Sequence, residues 1–274
     1  MDKDHENSTL LNTHFIGKRI YQYKKIPSTQ QLAIFLAETN ISNENGTVIL
    51  ADEQYDGKGR RNTKWISPKG GLWVSIIIKP NIEPKNINIL SVIAAISVCE
   101  TINEIAYLES TIKWPNDIVI DNKKIAGIVI DSSINGNNIE YVVIGIGINI
   151  MIDVFSLNFF LSTNNILSQK ATSLQNELKN KCIDRFILLK HLLKKIEYYL
   201  LLVRNERDNI NIIDIYKRLC STLGMAINVY RNNVKEYSAI AKDIDSDGGL
   251  ILDRENKSRE KIYYENISIR EKKD

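Results

Sequence analysis

Four short apolar segments between residues 111 and 150 constrain the fold more than any other part of the chain. Polar turns separate them, with Asp121-Asn122 and Asn135-Gly136-Asn137 as the clearest examples. Asn, Asp and Gly accept the positive φ angles of tight hairpin turns. Segments joined this closely favour antiparallel neighbours in one sheet. The predicted strands are Thr111–Lys113, Ile118–Ile120, Ile125–Ser132 and Glu140–Ile150.

The segments before residue 111 predict more strands and two helices. Ser28 is a good N-cap residue for a helix that runs to Thr39, and the apolar density of Asn88–Ile105 predicts a buried helix. We therefore predict an α/β (α+β) domain with a mixed, largely antiparallel sheet and helices on one face. The strands predicted here are Ile20–Ile26, Thr47–Glu53 and Leu72–Lys79.

The last third of the chain changes character. Ile183–Val203 and Ile210–Thr222 are amphipathic at the helical period, whereas residues 225–270 form short alternating segments separated by polar turns. Such segments predict a small β-barrel of about 50 residues. The predicted organisation is a polar, flexible tail at 1–14, a main α/β domain at 15–205, and a linker helix with the small β-domain at 206–274.

Composition excludes some classes of function. The chain has 36 basic and 33 acidic residues, and a net charge of +3 is too small to predict nucleic acid or membrane binding by itself. Cys99, Cys182 and Cys220 lie far apart and are predicted to be reduced and mostly buried. The first residues are acidic where a signal peptide is basic, and Tyr141–Ile152 is shorter than the roughly 20 residues of a membrane span. We expect a soluble, cytoplasmic protein.

The loop Ala51–Trp65 concentrates cations around two glycines. Lys58 and Arg60 alternate with Gly57 and Gly59, directly after a predicted strand. Glycines let the backbone approach an anion closely, and the cations neutralise its charge. The pattern of a P-loop is absent, and a solvated surface loop remains the alternative.

Three further segments contain residues suited to a binding site. Lys113–Asp117 reads KWPND, Lys123–Gly127 reads KKIAG, and Val143–Asn149 reads VIGIGIN. Two glycines inside an apolar strand indicate a bulge or a place where a ligand meets the backbone. Taken singly, a tryptophan at a strand end can be packing and paired lysines can be an exposed turn.

The ordered set of these segments resembles the catalytic domain of biotin–protein ligases. PSTQ, ADEQ-x-x-G-x-G-R-R, KWPND, KKIAG and GIGIN occur in that order from about Ile20 to Ser173. The final small β-domain is similar in position and size to the SH3-like C-terminal domain of the family. The resemblance implies a class II synthetase-like biotin/lipoate ligase fold.

The resemblance also implies roles for individual residues on the biotin side. A first set faces the fused rings of biotin: Ser28, Thr29, Gln30 and Gln54. A second set forms the loop that folds over biotin and phosphate: Gly57, Lys58, Gly59 and Arg60. Gln30 stands where asparagine is commoner, and Lys58 replaces an arginine, keeping its charge without the bidentate fork.

The remaining implied roles lie on the nucleotide side. Lys124 matches the lysine that reaches the biotin carboxyl and the acyl phosphate. The triphosphate is handled by Lys113, Asn116 and Asp117. The adenine side and pocket walls are Trp65, Gly127, Gly147 and Asn149. The implied catalytic residues are Lys124, Lys113, Arg60 and Asp117, and no metal ligand is assigned.

One departure from the family concerns the cationic loop. Asn62-Thr63 stands where the family has Gly-Arg, although asparagine tolerates left-handed backbone geometry. Because four cations repel one another and fixed glycines lose entropy, we predict that the loop Asp56–Lys64 is mobile without ligand.

The function that the resemblance implies is ATP-dependent and uses Mg²⁺. Biotin is the substrate, and the acceptor is a biotin carboxyl carrier protein of acetyl-CoA carboxylase or of a similar biotin-dependent carboxylase. Alternatives are a lipoate or octanoate ligase and a biotin-responsive regulatory homologue; the G-K-G-R-R loop favours biotin. Only about 20 residues precede the first predicted strand, so no DNA binding is expected. A weak homodimer joined at a sheet edge is a family expectation.

Overall fold

The computed structural model describes residues 11–39, 45–163, 170–179, 181, 183–203, 206–231, 234–254, 258–263 and 267–272. Its helices are α1 Thr29–Glu38, α2 Ile89–Ala106, α3 Val154–Thr163, α4 Leu174–Glu177, α5 Arg185–Leu202 and α6 Glu206–Leu219. Its strands are β1 Ile20–Ile26, β2 Thr47–Gln54, β3 Gly71–Ile78, β4 Thr111–Lys113, β5 Asp117–Ile120, β6 Lys123–Asn135, β7 Asn138–Asn149, β8 Ala226–Arg231, β9 Val234–Ile244, β10 Leu250–Arg254, β11 Arg259–Ile262 and β12 Ile267–Glu271.

The first seven strands form one mixed sheet in the order β1-β2-β3-β7-β6-β5-β4. Only the pair β1 and β2 is parallel, and every other neighbouring pair is antiparallel. The turn at Asp121-Asn122 has positive φ at both residues, as its sequence predicts. The predicted mixed, largely antiparallel sheet is confirmed.

The two faces of this sheet differ in side-chain size. Along β7, Val142, Ile144 and the following even-numbered residues pack into the main core. The odd positions include Gly145 and Gly147, and β6 presents Gly127 on the same side, because side chains alternate across a strand. One face is thus a continuous hydrophobic layer, and the other has space above its centre.

Helices cover both faces, so the prediction of helices on one face was wrong. α2 and α5 contribute Ile93, Ile96 and Leu192 to the main core. α1 instead packs Ala33 and Leu36 on the opposite face. The prediction failed because a strand that is buried on both sides has no polar face, so its sequence does not show whether helices cover one face of the sheet or both. Ser28 does cap α1, accepting from the backbone N–H of Gln31 at 3.4 Å.

α2 is a long and strongly apolar helix. The segment Pro84–Ala106 is long and apolar enough to cross a membrane by composition, and 78% of its most apolar window is buried inside the protein. α2 packs against α5 and α6 on one side and against the sheet on the other. Its hydrophobicity therefore belongs to the protein core.

The second sheet has five antiparallel strands in the order β11-β10-β9-β8-β12. The predicted strands are confirmed, but the predicted closed barrel is not, since the sheet is open. Tyr216 of α6 is buried in the same core as α2. The linker helix therefore packs on the first domain, while the boundary at 205/206 stays a prediction.

Residues 11–14, predicted as part of a flexible tail, are packed in the structure; residues 1–10 lie outside the described chain. Leu11 is buried in the main core. The Glu197 carboxylate of α5 accepts the backbone N–H groups of His14, Phe15 and Ile16 at 2.6, 2.7 and 2.9 Å. The buried Glu197 side chain thereby fixes the position of the segment that leads into β1.

Two of the three cysteines can be assessed. Cys99 and Cys220 are free and buried, as predicted, and Cys182 lies outside the described residues. Burial raises the pKa of the Cys99 thiol to about 11, so this thiol is protonated and unreactive at neutral pH.

Candidate active site

A cavity of about 1300 Å³ lies above the glycine-rich face of the first sheet. Its floor comes from α1, β3, β6 and β7, and its far wall comes from β8 and β12 of the second sheet. The glycines of β6 and β7 make room for Gln30 and Trp65, two side chains that line the cavity. A Cβ at Gly145 would lie 2.3 Å from the Gln30 Oε1.

The inner end of the cavity is neutral and polar. Gln54 accepts the backbone N–H of Thr29 at 2.7 Å and donates through its amide nitrogen to the Ser67 hydroxyl at 2.8 Å. Gln30 donates to Asp131 Oδ2 at 2.8 Å and to the Val143 carbonyl at 3.1 Å. Each polar side chain is therefore held in place by its neighbours.

Ser75 links these two amides. Its hydroxyl lies 2.9 Å from Thr29 Oγ1 and 2.9 Å from Gln30 Oε1. We refer to Gln30, Ser75, Thr29 and Gln54 as the polar floor. Buried groups joined by hydrogen bonds in this way are held rigidly, so the floor presents a preset pattern of atoms to a ligand.

Trp65 lies along the glycine surface beside the floor. A Cβ at Gly147 would lie 2.6 Å from its Nε1, and a Cβ at Gly127 would lie 3.1 Å from its six-membered ring. The indole packs edge-on against Trp73, with ring centroids 6.4 Å apart. Its buried Nε1 has no hydrogen-bond partner among the described residues, which leaves a donor for a ligand.

The outer end of the cavity is cationic. Lys124 pairs with Asp117 at 2.6 Å and stands over the Trp65 ring at 5.0 Å from its centroid. Burial lowers the pKa of Lys113 from its ordinary value, with the charge of Asp117 acting against that shift and the charge of Lys124 adding to it. Two half-buried ammonium groups are thus balanced by the carboxylate of Asp117, and this excess of positive charge favours a further anion.

Arg60 completes this cationic end. Its guanidinium donates to Asn116 Oδ1 at 3.1 Å, and the Asn116 amide nitrogen donates to the Ile128 carbonyl. Asn116 is buried, so its amide has one fixed orientation. The fixed amide holds Arg60 beside the KWPND segment, and all three cations line the same cavity. We call Lys113, Lys124 and Arg60 the cation cluster.

The loop that holds Arg60 is a hydrogen-bonded hairpin in this structure. Gly59 N–H donates to the Thr63 carbonyl at 2.7 Å, and Trp65 N–H donates to the Gly57 carbonyl at 2.9 Å. Lys58 pairs with Asp56 at 2.9 Å, and Lys64 lies 5.7 Å from the Phe160 ring centroid.

These contacts weaken the argument for a mobile loop, because neighbouring groups separate and partner its cations. Asp56 pairs with Lys58, and the Phe160 ring contacts Lys64. Repulsion among the cations therefore does not force the loop to be disordered. The left-handed residue is Arg61, at φ 54°, and not Asn62. The mobility of the loop stays a prediction.

The second domain supports the KWPND segment directly. Tyr216 donates its hydroxyl to the Pro115 carbonyl at 2.8 Å, and Trp114 Nε1 donates to the Gly248 carbonyl at 3.1 Å. Burial raises the pKa of Tyr216, which keeps it a neutral donor. The position of Lys113 and Asp117 thus depends on both domains.

Comparison with known sequences identifies two conserved regions. Residues 23–149 match the Biotin/lipoate A/B protein ligase family, and residues 222–270 match the Biotin protein ligase C terminal domain. The "Bifunctional ligase/repressor BirA" of Bacillus subtilis is 32% identical over 265 residues, which cover 94% of this chain and 76% of that protein. The chain belongs to the biotin/lipoate A/B protein ligase family.

Two further members of this family are informative. The "Biotin--[acetyl-CoA-carboxylase] ligase" of Paracoccus denitrificans is 33% identical over 104 residues, covering 37% of this chain and 43% of that protein. The structure of the "Biotin protein ligase from Aquifex aeolicus in complex with biotin and ATP" is 26% identical, with a TM-score of 0.74 over 93% of this chain and 100% of that one. The chain thus has the biotin protein ligase fold over most of its length.

Most of the residues that the sequence assigned to a ligase site converge on this cavity. All but two of them line it, from Ser28 at the floor to Lys124 at the cationic end. Gly57 instead packs against the Trp65 carbonyl and Ser67. Asn149 is buried and donates to the Thr172 carbonyl at 2.9 Å, so it holds the wall from behind.

Several lining residues were missed in the sequence. Ser75 is a lone hydroxyl in an otherwise apolar strand, which is a signal that could have identified it. Lys170, Arg270 and Glu271 also line the cavity. The charge of Glu271 acts to raise the pKa of Lys113. No motif marks Arg270 and Glu271, because only the packing of the two domains brings them to the site.

Proposed function

We propose that this chain is a biotin–protein ligase that activates biotin with ATP and transfers it to a lysine of an acceptor protein. The observation that carries the proposal is the division of one cavity into a neutral polar floor and a cation cluster. A ligand with a neutral polar head and a carboxylate that must meet a nucleotide phosphate fits this division. The sequence family and the structural relatives support the same substrate pair.

The first step joins the biotin carboxylate to AMP. A carboxylate oxygen attacks the α-phosphorus of ATP, the bond to the bridging oxygen breaks, and pyrophosphate leaves with that electron pair. Negative charge accumulates on the phosphate oxygens during this displacement. Lys113, Lys124 and Arg60 are preorganised to stabilise it, and groups fixed in this way need no reorganisation during the reaction.

Magnesium is expected to accompany ATP. Among the described residues no group of three or more His, Cys, Asp or Glu side chains could hold a metal by itself. Mg²⁺ usually binds through one or two carboxylates together with substrate phosphates, and Asp117 fits such a role. The ion would supply further charge neutralisation, while the residues of this chain orient the two substrates.

The second step transfers biotin to an amine. The lysine amine of the acceptor attacks the biotinoyl carbonyl, AMP departs, and a proton leaves the nitrogen. Asp117 Oδ1 lies 2.6 Å from Lys124 Nζ, so it can hold that lysine for the developing oxyanion. It is also placed to take the proton from the incoming amine.

We infer that the acceptor is a biotin carboxyl carrier protein. The name of the Paracoccus relative, a biotin–[acetyl-CoA-carboxylase] ligase, supports this acceptor class. A dimer joined at a sheet edge, a cytoplasmic location and the absence of specific DNA binding belong to the same proposal. The small net charge of +3 supports the last of these.

The decisive experiment combines the protein with biotin, ATP, Mg²⁺ and a carrier domain. Mass spectrometry should show one biotinoyl group added to one lysine, with AMP and pyrophosphate released. Transfer of lipoate or octanoate in place of biotin would overturn the substrate assignment.

A matched DNA experiment uses a gel shift with competitor DNA and raised salt. We expect no surviving complex, since weak phosphate contacts are lost as salt rises. A complex that persists would contradict the proposed lack of specific DNA binding.

A further inference from the structure

Lys124 lies at the point where β6 loses its neighbour β7. The pairing of these two strands ends with Ala126 opposite Ile148, so β7 does not extend to Lys124. Residues 170–172 take the place of β7 there, and Ala171 forms a parallel bridge with Lys124. We refer to residues 170–172 as the supporting segment.

The supporting segment engages the main chain of Lys124 at both of its polar groups. The Lys124 N–H donates to the Lys170 carbonyl at 2.7 Å, and the Lys124 carbonyl accepts the Thr172 N–H at 2.8 Å. Each residue has one backbone N–H and one backbone C=O, so both groups of Lys124 are used in this way. The position from which the Lys124 side chain reaches Asp117 is therefore fixed in part by this segment.

Asn158 of α3 holds the supporting segment from its other side. Because residues 170 and 172 bond Lys124, the backbone polar groups of Ala171 point away from it. The Asn158 amide nitrogen donates to the Ala171 carbonyl at 3.0 Å, and the amide oxygen accepts the Ala171 N–H at 2.8 Å. One side-chain amide thus takes the place of a neighbouring strand. Ala171 is buried, so these two groups would be costly to leave unpaired.

The contacts of α3 keep Asn158 in position. Leu157, the residue before it, packs in the same small hydrophobic cluster as Ala171. Before the helix, the Asp153 carboxylate accepts two backbone N–H groups of the first turn, at 3.0 and 3.2 Å. A helix capped at its start and packed at its centre is a firm base for the amide.

We propose that Asn158 is a positioning residue for Lys124, acting through the backbone of the supporting segment. The inference rests on the proposed function, in which Lys124 stabilises the charge that develops during adenylation. Asn158 is not among the residues that line the cavity, so its substitution changes the site only through the residues that it holds. A small displacement of a preorganised charge lowers the rate of reaction more than it weakens substrate binding.

The test uses Asn158→Leu, which keeps the size of the side chain and removes both hydrogen bonds. Pyrophosphate release should show that the maximal rate of adenylation falls by about tenfold to a hundredfold. Calorimetry should show unchanged biotin affinity, because the polar floor is built on other elements. Ser162→Ala is the matched control, since the Ser162 hydroxyl bonds within α3, to the Phe159 carbonyl at 2.8 Å. The control should keep the wild-type rate.

A double substitution separates positioning from general support. Because Asn158 acts through Lys124, Asn158→Leu should lower the rate of the wild type and leave the residual rate of Lys124→Ala unchanged. Loss of a merely structural contact would lower both rates by the same factor. Exchange of labelled pyrophosphate into ATP measures the residual rate.

Hydrogen exchange measures the support directly. The Lys124 amide should exchange faster in Asn158→Leu than in the wild type or in Ser162→Ala, because the Lys170 carbonyl that it bonds is no longer held. Asn158→Asp is the second variant, to be used where the leucine variant does not fold. It keeps the acceptor for the Ala171 N–H and loses the donor, so it should show the same loss of rate and the same faster exchange.

The outcomes separate the two proposals. A wild-type rate in Asn158→Leu, an equal loss of rate with and without Lys124, or unchanged exchange of the Lys124 amide would overturn the inference and leave the proposed function intact. Failure of the wild type to form the adenylate of biotin would overturn the proposed function, and the inference with it.

Discussion

The two ends of the cavity handle polarity in opposite ways. The polar floor consists of neutral groups that hydrogen-bond one another. The cation cluster consists of full charges, of which Lys113 is sufficiently buried that its pKa is lowered. The floor is therefore assembled by folding, whereas the cluster is completed only when an anion binds. This difference predicts that mutations at the floor change affinity and that mutations at the cluster change rate.

The largest expected effect is at Lys124. Lys124→Ala removes a charge from the reacting centre and leaves the hydrophobic core untouched, so adenylate formation should fall by on the order of 100-fold or more with the fold intact. Pyrophosphate release measures the rate, and circular dichroism checks the fold. Lys123→Ala is the matched control, because Lys123 carries the same charge but pairs with Glu177 at 2.6 Å and not with Asp117. Near-normal turnover in Lys124→Ala would remove Lys124 from the mechanism.

Substitution of Lys113 should change activity and stability in opposite directions. Because burial penalises its charged form, Lys113→Met should lose most adenylation activity while melting a few degrees above the wild type. Burial of charged Lys113 lowers the free energy of unfolding of the wild type. This destabilisation is fully present below the lowered pKa of Lys113 in the folded protein, and it fades as the pH rises toward the ordinary value of 10.5. The stability advantage of the variant should therefore shrink in alkaline melts. A variant that melts lower than wild type at neutral pH would show that Lys113 stabilises the free protein.

A smaller effect is expected at Gln54, on the floor. Gln54→Ala leaves the Thr29 N–H without its acceptor, so biotin binding should weaken by about 1–3 kcal/mol. The turnover number at saturating biotin should change little. Gln22→Ala, at an exposed glutamine of β1, serves as the control. Unchanged biotin affinity in Gln54→Ala would assign Gln54 a structural role only.

The smallest effect concerns retention of the adenylate. Arg60→Gly should still make adenylate but release it early, so that lysines of an unrelated protein are labelled severalfold more than by the wild type. Arg61→Gly is a matched control, since Arg61 already has φ of 54° and glycine adopts that geometry freely. Equal bystander labelling by Arg60→Gly and wild type would show that Arg60 does not retain the adenylate.

The sequence predicted the local parts of this molecule well. Alternating residues and turn signals located the strands of both sheets, and Ser28 located the start of α1. α3 was missed, although its aromatic residues include Phe155, which is 82% exposed. A helix without a buried stripe has no periodic signal for a prediction to use.

The parts that escaped prediction depend on contacts distant in sequence. The open edge of the second sheet, the partners of the loop cations and the approach of Arg270 to the cavity come from packing between elements. The orientation of the Gln30 amide in the floor is fixed by Asp131, which lies 101 positions away in the sequence. Motifs identify which residues meet, and the geometry determines which atoms face the ligand.

The Glu197 anchor has a mechanical consequence. Because one carboxylate of α5 holds three successive backbone N–H groups, a pull on the chain at Leu11 is carried into α5 and the main core. The load does not reach β1 or the α1 turn that bears Ser28 and Thr29 until that anchor breaks. The cavity is thus shielded from force, and from the thermal motion of anything attached upstream, by a single side chain on the far face of the sheet.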